Sequence, residues 1–460
     1  MTNSKNLLSN VQGCCSPSPQ AITKSRDNQS KNLPIVVIGA GPVGLAAAAH
    51  LAERGQSFLL LEAGGKVGAN ILSWGHIRLF SPWRYNIDKA AMSLLAQTDW
   101  KHPDLEKLPT GNEIVEQYLE PLSKLPAINL NIHLNTKVLS IGKKDIDKMK
   151  TLNREKAPFI IHTETKGEYK TYEARAVIDA TGTWGSPNPA VSSGVWLKEE
   201  KALHNQIFYG IPNILGKEKS RYAGKRVAVV GGGHSAINSL LDLAKLKESY
   251  PETNILWIMR RQNVEAAYGG EEKDALEARG ALGTKIHKLV DDQIIKVFTP
   301  FFIQQVKKSN KGSALIGIQN GKEMTLEEID EVIVNTGSRP DLLMVSEVRT
   351  SIDTSTESVH ELAPLIDPNL HSCGTVRPHG EKELRQPEKG FYIVGAKSYG
   401  RAPTFLMATG YEQVRSVVAY LTGDKAASKK VELDLPETGV CSVNVNTKTS
   451  CCDDTASSCS

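Results

Sequence analysis

The sequence predicts an α/β fold of two strand–glycine turn–helix units, one inserted into the other, with a small β-meander beside them. Three observations carry this. An apolar run at 33–38 leads into Gly39-Ala40-Gly41-Pro42-Val43-Gly44, and a second at 227–230 leads into Gly231-Gly232-Gly233-His234-Ser235-Ala236. Each turn precedes a stretch of helical pattern rich in alanine and leucine, the setting in which glycines let backbone amides approach a pyrophosphate at a helix N-terminus. The strands that follow end differently, the first in Glu62 and the second in Arg260-Arg261. The predicted class is therefore two Rossmann-like dinucleotide-binding domains.

Residues 1–32 are rich in Ser, Asn, Gln and Lys and are expected to be a disordered tail. The first domain begins at Leu33. After its glycine turn, 45–54 reads as a helix stopped by Gly55, and 58–61 as the next strand. Glu62 then stands where an acid accepts hydrogen bonds from an adenosine ribose. The stretch 70–88 holds Trp74, His76, Arg78, Phe80, Ser81, Trp83 and Tyr85, too aromatic for a solvent loop, and is expected to fold over the cofactor. A helix is predicted over 110–122, capped by Thr110 or Asn112, with Ile114, Val115, Tyr118, Leu119 and Leu122 on its apolar face. Alternating segments near 128–141, 159–165 and 171–178 predict the meander, which runs into Asp179-Ala180-Thr181-Gly182.

The first domain thus covers 33–189, the inserted one 190–330, and the first resumes over 331–423. The inserted strand 254–259 ends in Arg260-Arg261, a guanidinium pair suited to clamping a ribose 2′-phosphate bidentately, which favours NADPH over NADH. Ala236 replaces the third glycine. A strand at 332–334 followed by Asn335-Thr336-Gly337-Ser338-Arg339-Pro340 closes this unit. The last strand, 391–394, ends at Gly395, with a loop to Thr404 and a helix over 405–421. Arg401 and Thr404 are expected on the flavin side, because that loop runs toward a helix N-terminus. Residues 424–460 are expected to be a disordered, cysteine-containing tail.

Two dinucleotide sites in one chain imply internal electron transfer, most simply from a nicotinamide to a flavin. Composition agrees: 460 residues with 40% hydrophobic and 23% charged residues allow two or three full cores. A formal charge of +4 without long basic runs argues against nucleic acid. No stretch has the length of a membrane span or the apolar core of a signal peptide, so a cytoplasmic protein is expected.

These residues resemble the two-dinucleotide-binding-domain flavoprotein superfamily and, within it, flavin-containing monooxygenase-like proteins. The resemblance rests on GAGPVG at 39–44, Glu62, the helix at 113–119, ATG at 180–182, GGGHSA at 231–236, Arg260-Arg261, NTGSRPD at 335–341 and IVGAKSYGRAPTFLMATG at 393–410. It implies that Gly39, Gly41, Gly44 and Glu62 hold the adenosine diphosphate of FAD, that Gly182 and Gly395 border the flavin, and that Gly231, Gly233, Ser235 and Arg260 hold NADPH. The fingerprint F-x-G-x-x-x-H-x-x-x-[FYW] expected before the second turn is not met, since the spacing of Gly194, His204, Phe208 and Tyr209 differs.

Three fates remain for the electrons. A dithiol relay needs two cysteines near the flavin, and none lies between Cys15 and Cys373; only Cys451-Cys452 on the tail offers a remote version. Oxygen activation would oxygenate a small molecule in a dry pocket walled by Trp74, Phe80, Trp83 and Tyr85, with His76, Arg78, Trp83 and Arg401 as side chains near a flavin-centred reaction. Simple reduction of another acceptor, a thiol or metalloid included, is the third. Outside the redox core, Cys14-Cys15, Cys451-Cys452 and Cys459 would suit a soft metal or metalloid ion, a separate binding function. His371, Cys373, His379 and Asp367 match no standard zinc spacing, and no metal is expected there.

Overall fold

The computed structural model describes residues 32–274, 276–370 and 379–433. All seven cysteines, and His371, lie outside these residues. Two five-stranded parallel sheets and two three-stranded antiparallel sheets organise the described chain. In the first parallel sheet Ile35–Ile38 is central, between Phe58–Leu61 and Ala176–Asp179, with Ile132–His133 and Phe391–Ile393 at the edges. A strand covered on both faces reads as a continuous apolar run, and here Ile35, Val36 and Val37 are fully buried. The helix Pro42–Glu53 packs against Met407–Leu421, and the small, fully buried Ala46, Ala47, Ala48 and Ala49 let its backbone approach its neighbours closely. Pro42 in the first turn forfeits no hydrogen bond, since first-turn amides have no intrahelical acceptor.

The second parallel sheet centres on Arg226–Val230, between Asn254–Ile258 and Glu331–Val334. Ile38 is level with Leu61 and Asp179, and Val230 with Ile258 and Val334. Gly39, Glu62 and Ala180 therefore emerge together at the C-terminal edge of one sheet, and Gly231, Met259 and Asn335 at that of the other. Crevices open at this edge of such sheets. Because Glu331–Val334 pairs within the second sheet, the expected border at 330 moves past Val334.

Thr110 caps its helix through a reciprocal pair with Glu113: Glu113 N donates to Thr110 Oγ1 at 3.2 Å and Thr110 N to Glu113 Oε2 at 2.6 Å. The antiparallel meander comprises Thr136–Lys143, Phe159–Thr165 and Glu168–Ala174. Two of its expected margins differ. Residues 128 and 129 belong to the short helix Pro126–Asn129, where Pro126 starts a turn, and Ala176–Asp179 joins the first parallel sheet. A second meander, Phe301–Lys308, Ser313–Gln319 and Lys322–Ile329, was not anticipated; it buries Ile303, Val306, Leu315 and Leu326 with Ile258 and Val332. The expected tail also begins later, since Asp424 caps Lys425–Lys429 by accepting from Ala427 N at 3.0 Å.

Candidate cofactor and active site

Three glycines of the first turn do three different things. Gly39 has φ 98°, and a Cβ there would lie 2.8 Å from the Ala180 carbonyl oxygen. At Gly44 a Cβ would lie 1.8 Å from the Gly39 carbonyl oxygen, whereas at Gly41 it would meet nothing within 4 Å. The outer two positions fit chain against chain, and the middle one leaves a cradle open for a ligand. Glu62 Oε2 accepts from Ala40 N at 2.6 Å and Oε1 from Gly64 N at 2.7 Å, so this carboxylate also braces the turn. Gly39, Gly41, Glu62, Gly182 and Gly395 line one cleft of about 350 Å³.

The second turn repeats the pattern. Gly231 has φ 134° and a Cβ there would lie 2.3 Å from the Asn335 carbonyl oxygen; at Gly233 it would meet nothing within 4 Å. Ala236 is fully buried at the helix contact. Arg260 and Arg261 are exposed at the strand end, and Arg260 Nη1 donates to the Ser192 carbonyl at 3.0 Å. Both arginines, with Gly231, Gly233 and Ser235, line a cleft of about 1080 Å³. Each open cradle at the end of a parallel strand fits a dinucleotide pyrophosphate.

The two clefts adjoin at Trp184, which lines both and lies 6.2 Å from Trp74 between ring centroids. Phe80 of the smaller cleft lies 5.3 Å from the His234 ring of the larger. Burial, with Arg279 and Arg261 adding and Asp274 opposing, depresses the His234 imidazole and keeps it neutral at pH 7. Trp74, Phe80 and Ser81 of the 70–88 stretch line the smaller cleft, whereas Tyr85 lines neither.

His76, Arg78 and Trp83 line neither cleft. Trp83 is 3% exposed in the core of the first domain, because the chain winds into a short turn at Trp83–Tyr85 instead of lying flat over the crevice. Arg78 Nη1 donates to the Leu108 carbonyl at 2.5 Å and pairs with Glu113 at 3.7 Å. His76 is depressed by burial, with the Pro212 carbonyl opposing and Lys217 reinforcing. Arg401 lines the larger cleft, not the smaller, and pairs with Glu357 at 3.8 Å. Thr404 lines neither, although its buried Oγ1 has no hydrogen-bond partner among the described residues and Phe405 beside it lines the smaller cleft. Sequence reasoning missed Trp184 and Asn86, which both line the smaller cleft. For Trp184 a signal existed, two positions past the Ala180-Thr181-Gly182 turn.

Among the described residues there is no group of three His, Cys, Asp or Glu side chains able to hold a metal, and no helix long and apolar enough to cross a membrane. A model of the pyridine nucleotide-disulphide oxidoreductase family matches residues 36–374. The chain is 27% identical over 312 residues to a ferredoxin–NADP reductase of Streptococcus equi subsp. zooepidemicus, covering 67% of this chain and 74% of that protein. It is 24% identical over 348 residues to one of Thermus thermophilus, covering 74% and 84%. Among solved structures it is similar to the bacillithiol disulfide reductase of Staphylococcus aureus, with TM-score 0.59 and 20% identity over 85% of this chain and 99% of that one. It is also similar to the FAD-bound cadaverine monooxygenase of Erwinia amylovora, with TM-score 0.60 and 15% identity over 88% and 97%. These structural likenesses establish the shared fold.

Proposed function

The chain belongs to the pyridine nucleotide-disulphide oxidoreductase family, and on that premise we propose that it is an oxidoreductase that uses FAD and NADPH and releases its electrons to a diffusible small-molecule acceptor. The observation that carries this is the pair of open glycine cradles whose clefts adjoin at Trp184. Gly39, Gly41, Gly44 and Glu62 would hold the adenosine diphosphate of FAD, with Gly182 and Gly395 bordering the flavin. Gly231, Gly233 and Ser235 would hold the NADPH pyrophosphate, and Arg260 and Arg261 its 2′-phosphate. FAD, when bound, supplies the hydride acceptance and onward electron release. The side chains supply position and exclusion of water: Trp74, Phe80 and Trp184 wall the junction, and neutral His234 adds no charge beside it.

No cysteine occurs from residue 16 to 372, and none of the described residues that line the clefts is a cysteine, which supports an acceptor that comes from outside them. The aromatic roof favours a second reading, in which oxygen is the acceptor and a small molecule is oxygenated in a dry pocket. Anaerobic reduction with NADPH followed by an oxygen pulse tests both. The expected result is a yellow protein bleached faster by NADPH than by NADH. Recovery of colour with an oxygenated product supports the monooxygenase reading, and recovery only on adding another acceptor supports a reductase. A colourless protein that binds no flavin overturns the proposal.

A further inference from the structure

A buried charge pair lies behind the wall of the smaller cleft, unused by the function proposed above. Lys397 is 2% exposed and Asp179 0%, and Lys397 Nζ lies 2.7 Å from Asp179 Oδ2. Lys397 Nζ also donates to Thr181 Oγ1 at 3.1 Å, while Thr181 donates to Asp179 Oδ1 from Oγ1 at 2.7 Å and from its backbone amide at 3.1 Å. Asp179 ends the strand Ala176–Asp179, and Lys397 sits in the turn Gly395–Tyr399. The cleft wall is built from the same two segments: Ala180, Thr181 and Gly182 on one side, Gly395 and Ala396 on the other.

The strand end at the equivalent place in the second sheet carries no charge. That strand ends in Val334, and the following Asn335 uses a neutral amide, donating from Nδ2 to the Gly210 carbonyl at 2.8 Å. Removing two charges from water costs several kcal/mol per ion, and well-packed apolar residues often serve stability equally well. Stability alone therefore gives no reason for an ion pair here, whereas its position gives one.

We propose that Lys397 and Asp179 form a positioning pair that pins together the two loops facing the flavin and sets the electrostatic field at that end of the cleft. The inference rests on the smaller cleft being the FAD site. Lys397→Met leaves the Asp179 carboxylate without its charged partner, and Asp179→Asn leaves the Lys397 ammonium without its own. A negative charge near the flavin disfavours added electrons, and a positive charge favours them.

The test is the midpoint potential of the FAD-loaded full chain, compared between wild type and the variants at one pH. Lys397→Met is expected to lie below wild type and Asp179→Asn above it. The double variant should lie near wild type. Single variants that retain FAD yet match wild type, or that both shift in the same direction, overturn the inference. If Lys397→Met does not fold, Asp179→Asn and the double variant suffice to decide between these outcomes. Wild-type protein that binds no FAD would instead remove the reading of the cleft itself, which separates the two failures.

Discussion

The two glycine turns share one backbone solution and differ in what stands at the end of the next strand. In both, the first glycine packs against a carbonyl of a neighbouring strand end, Ala180 in one and Asn335 in the other, and the second or third opens onto a cleft. The first domain then places a carboxylate that accepts from the amides of Ala40 and Gly64, whereas the second places two exposed guanidinium groups. On the function proposed, backbone geometry admits a dinucleotide and the strand-end side chain selects which one. The carboxylate suits ribose hydroxyls, and the guanidinium pair suits a phosphate.

The sharpest break in the comparison lies at the helix contact, where Gly44 corresponds to Ala236. A Cβ at Gly44 would lie 1.8 Å from the Gly39 carbonyl oxygen, so Gly44→Ala must move backbone and is expected to cost on the order of 3 kcal/mol. Ala236→Gly removes a buried methyl from a helix and should cost about 1 kcal/mol. Thermal melts of the two apoproteins check the inequality, and equal losses would refute the claim that the first turn is the tighter. The next effect concerns the ligand. Arg260→Ala is expected to weaken NADPH by about 1.5–3 kcal/mol, the worth of a charged hydrogen bond, while leaving NADH nearly unchanged. Equal weakening of both nucleotides in a titration would remove the 2′-phosphate role.

What was legible in the sequence follows the same division. Gly39, Gly44 and Gly231 could be read because close backbone approach leaves few residues that fit, and the strands because continuous apolar runs mark sheets buried on both faces. The 70–88 stretch could be identified as a cover but not resolved residue by residue. Aromatic content does not say which side a ring faces, so Trp83 went to the core while Trp74 and Phe80 face the cleft. Arg401 was misplaced for a related reason, because its loop crosses from one domain to the cleft of the other. Lys397 was invisible, since a single lysine in a glycine-rich loop gives no hint that its partner lies at Asp179, far off in sequence. The second meander hid behind strands whose outward faces carry Lys, Gln and Glu, as in Lys322–Ile329.

A smaller effect distinguishes the two roles of Glu62. Glu62→Gln keeps one acceptor oxygen but presents an amide to a backbone donor, and about 1 kcal/mol of FAD affinity should be lost. If the carboxylate only braced the turn, the apoprotein would lose the same stability and FAD affinity would not fall further, which paired melts and flavin titrations separate.

An effect of about the same size uses pH to probe the helix of the second domain. In the helix after the first turn the centre is Ala46, Ala47, Ala48 and Ala49, whereas the helix after the second carries Asp242, whose carboxyl burial pushes up to about 6. A carboxyl with a folded-state value above its ordinary one is held more tightly when protonated, so its contribution is full below about pH 4 and is lost as pH rises through 6. Asp242→Asn should therefore be more stable than wild type at pH 7, by about 1 kcal/mol once partial solvent access is allowed for, with the gain shrinking toward pH 4. Melting curves across that range check the sign. A gain that is constant with pH would mean that Asn improves packing and that Asp242 is not titrating, and the chemical contrast between the helices would then rest on the strand ends alone.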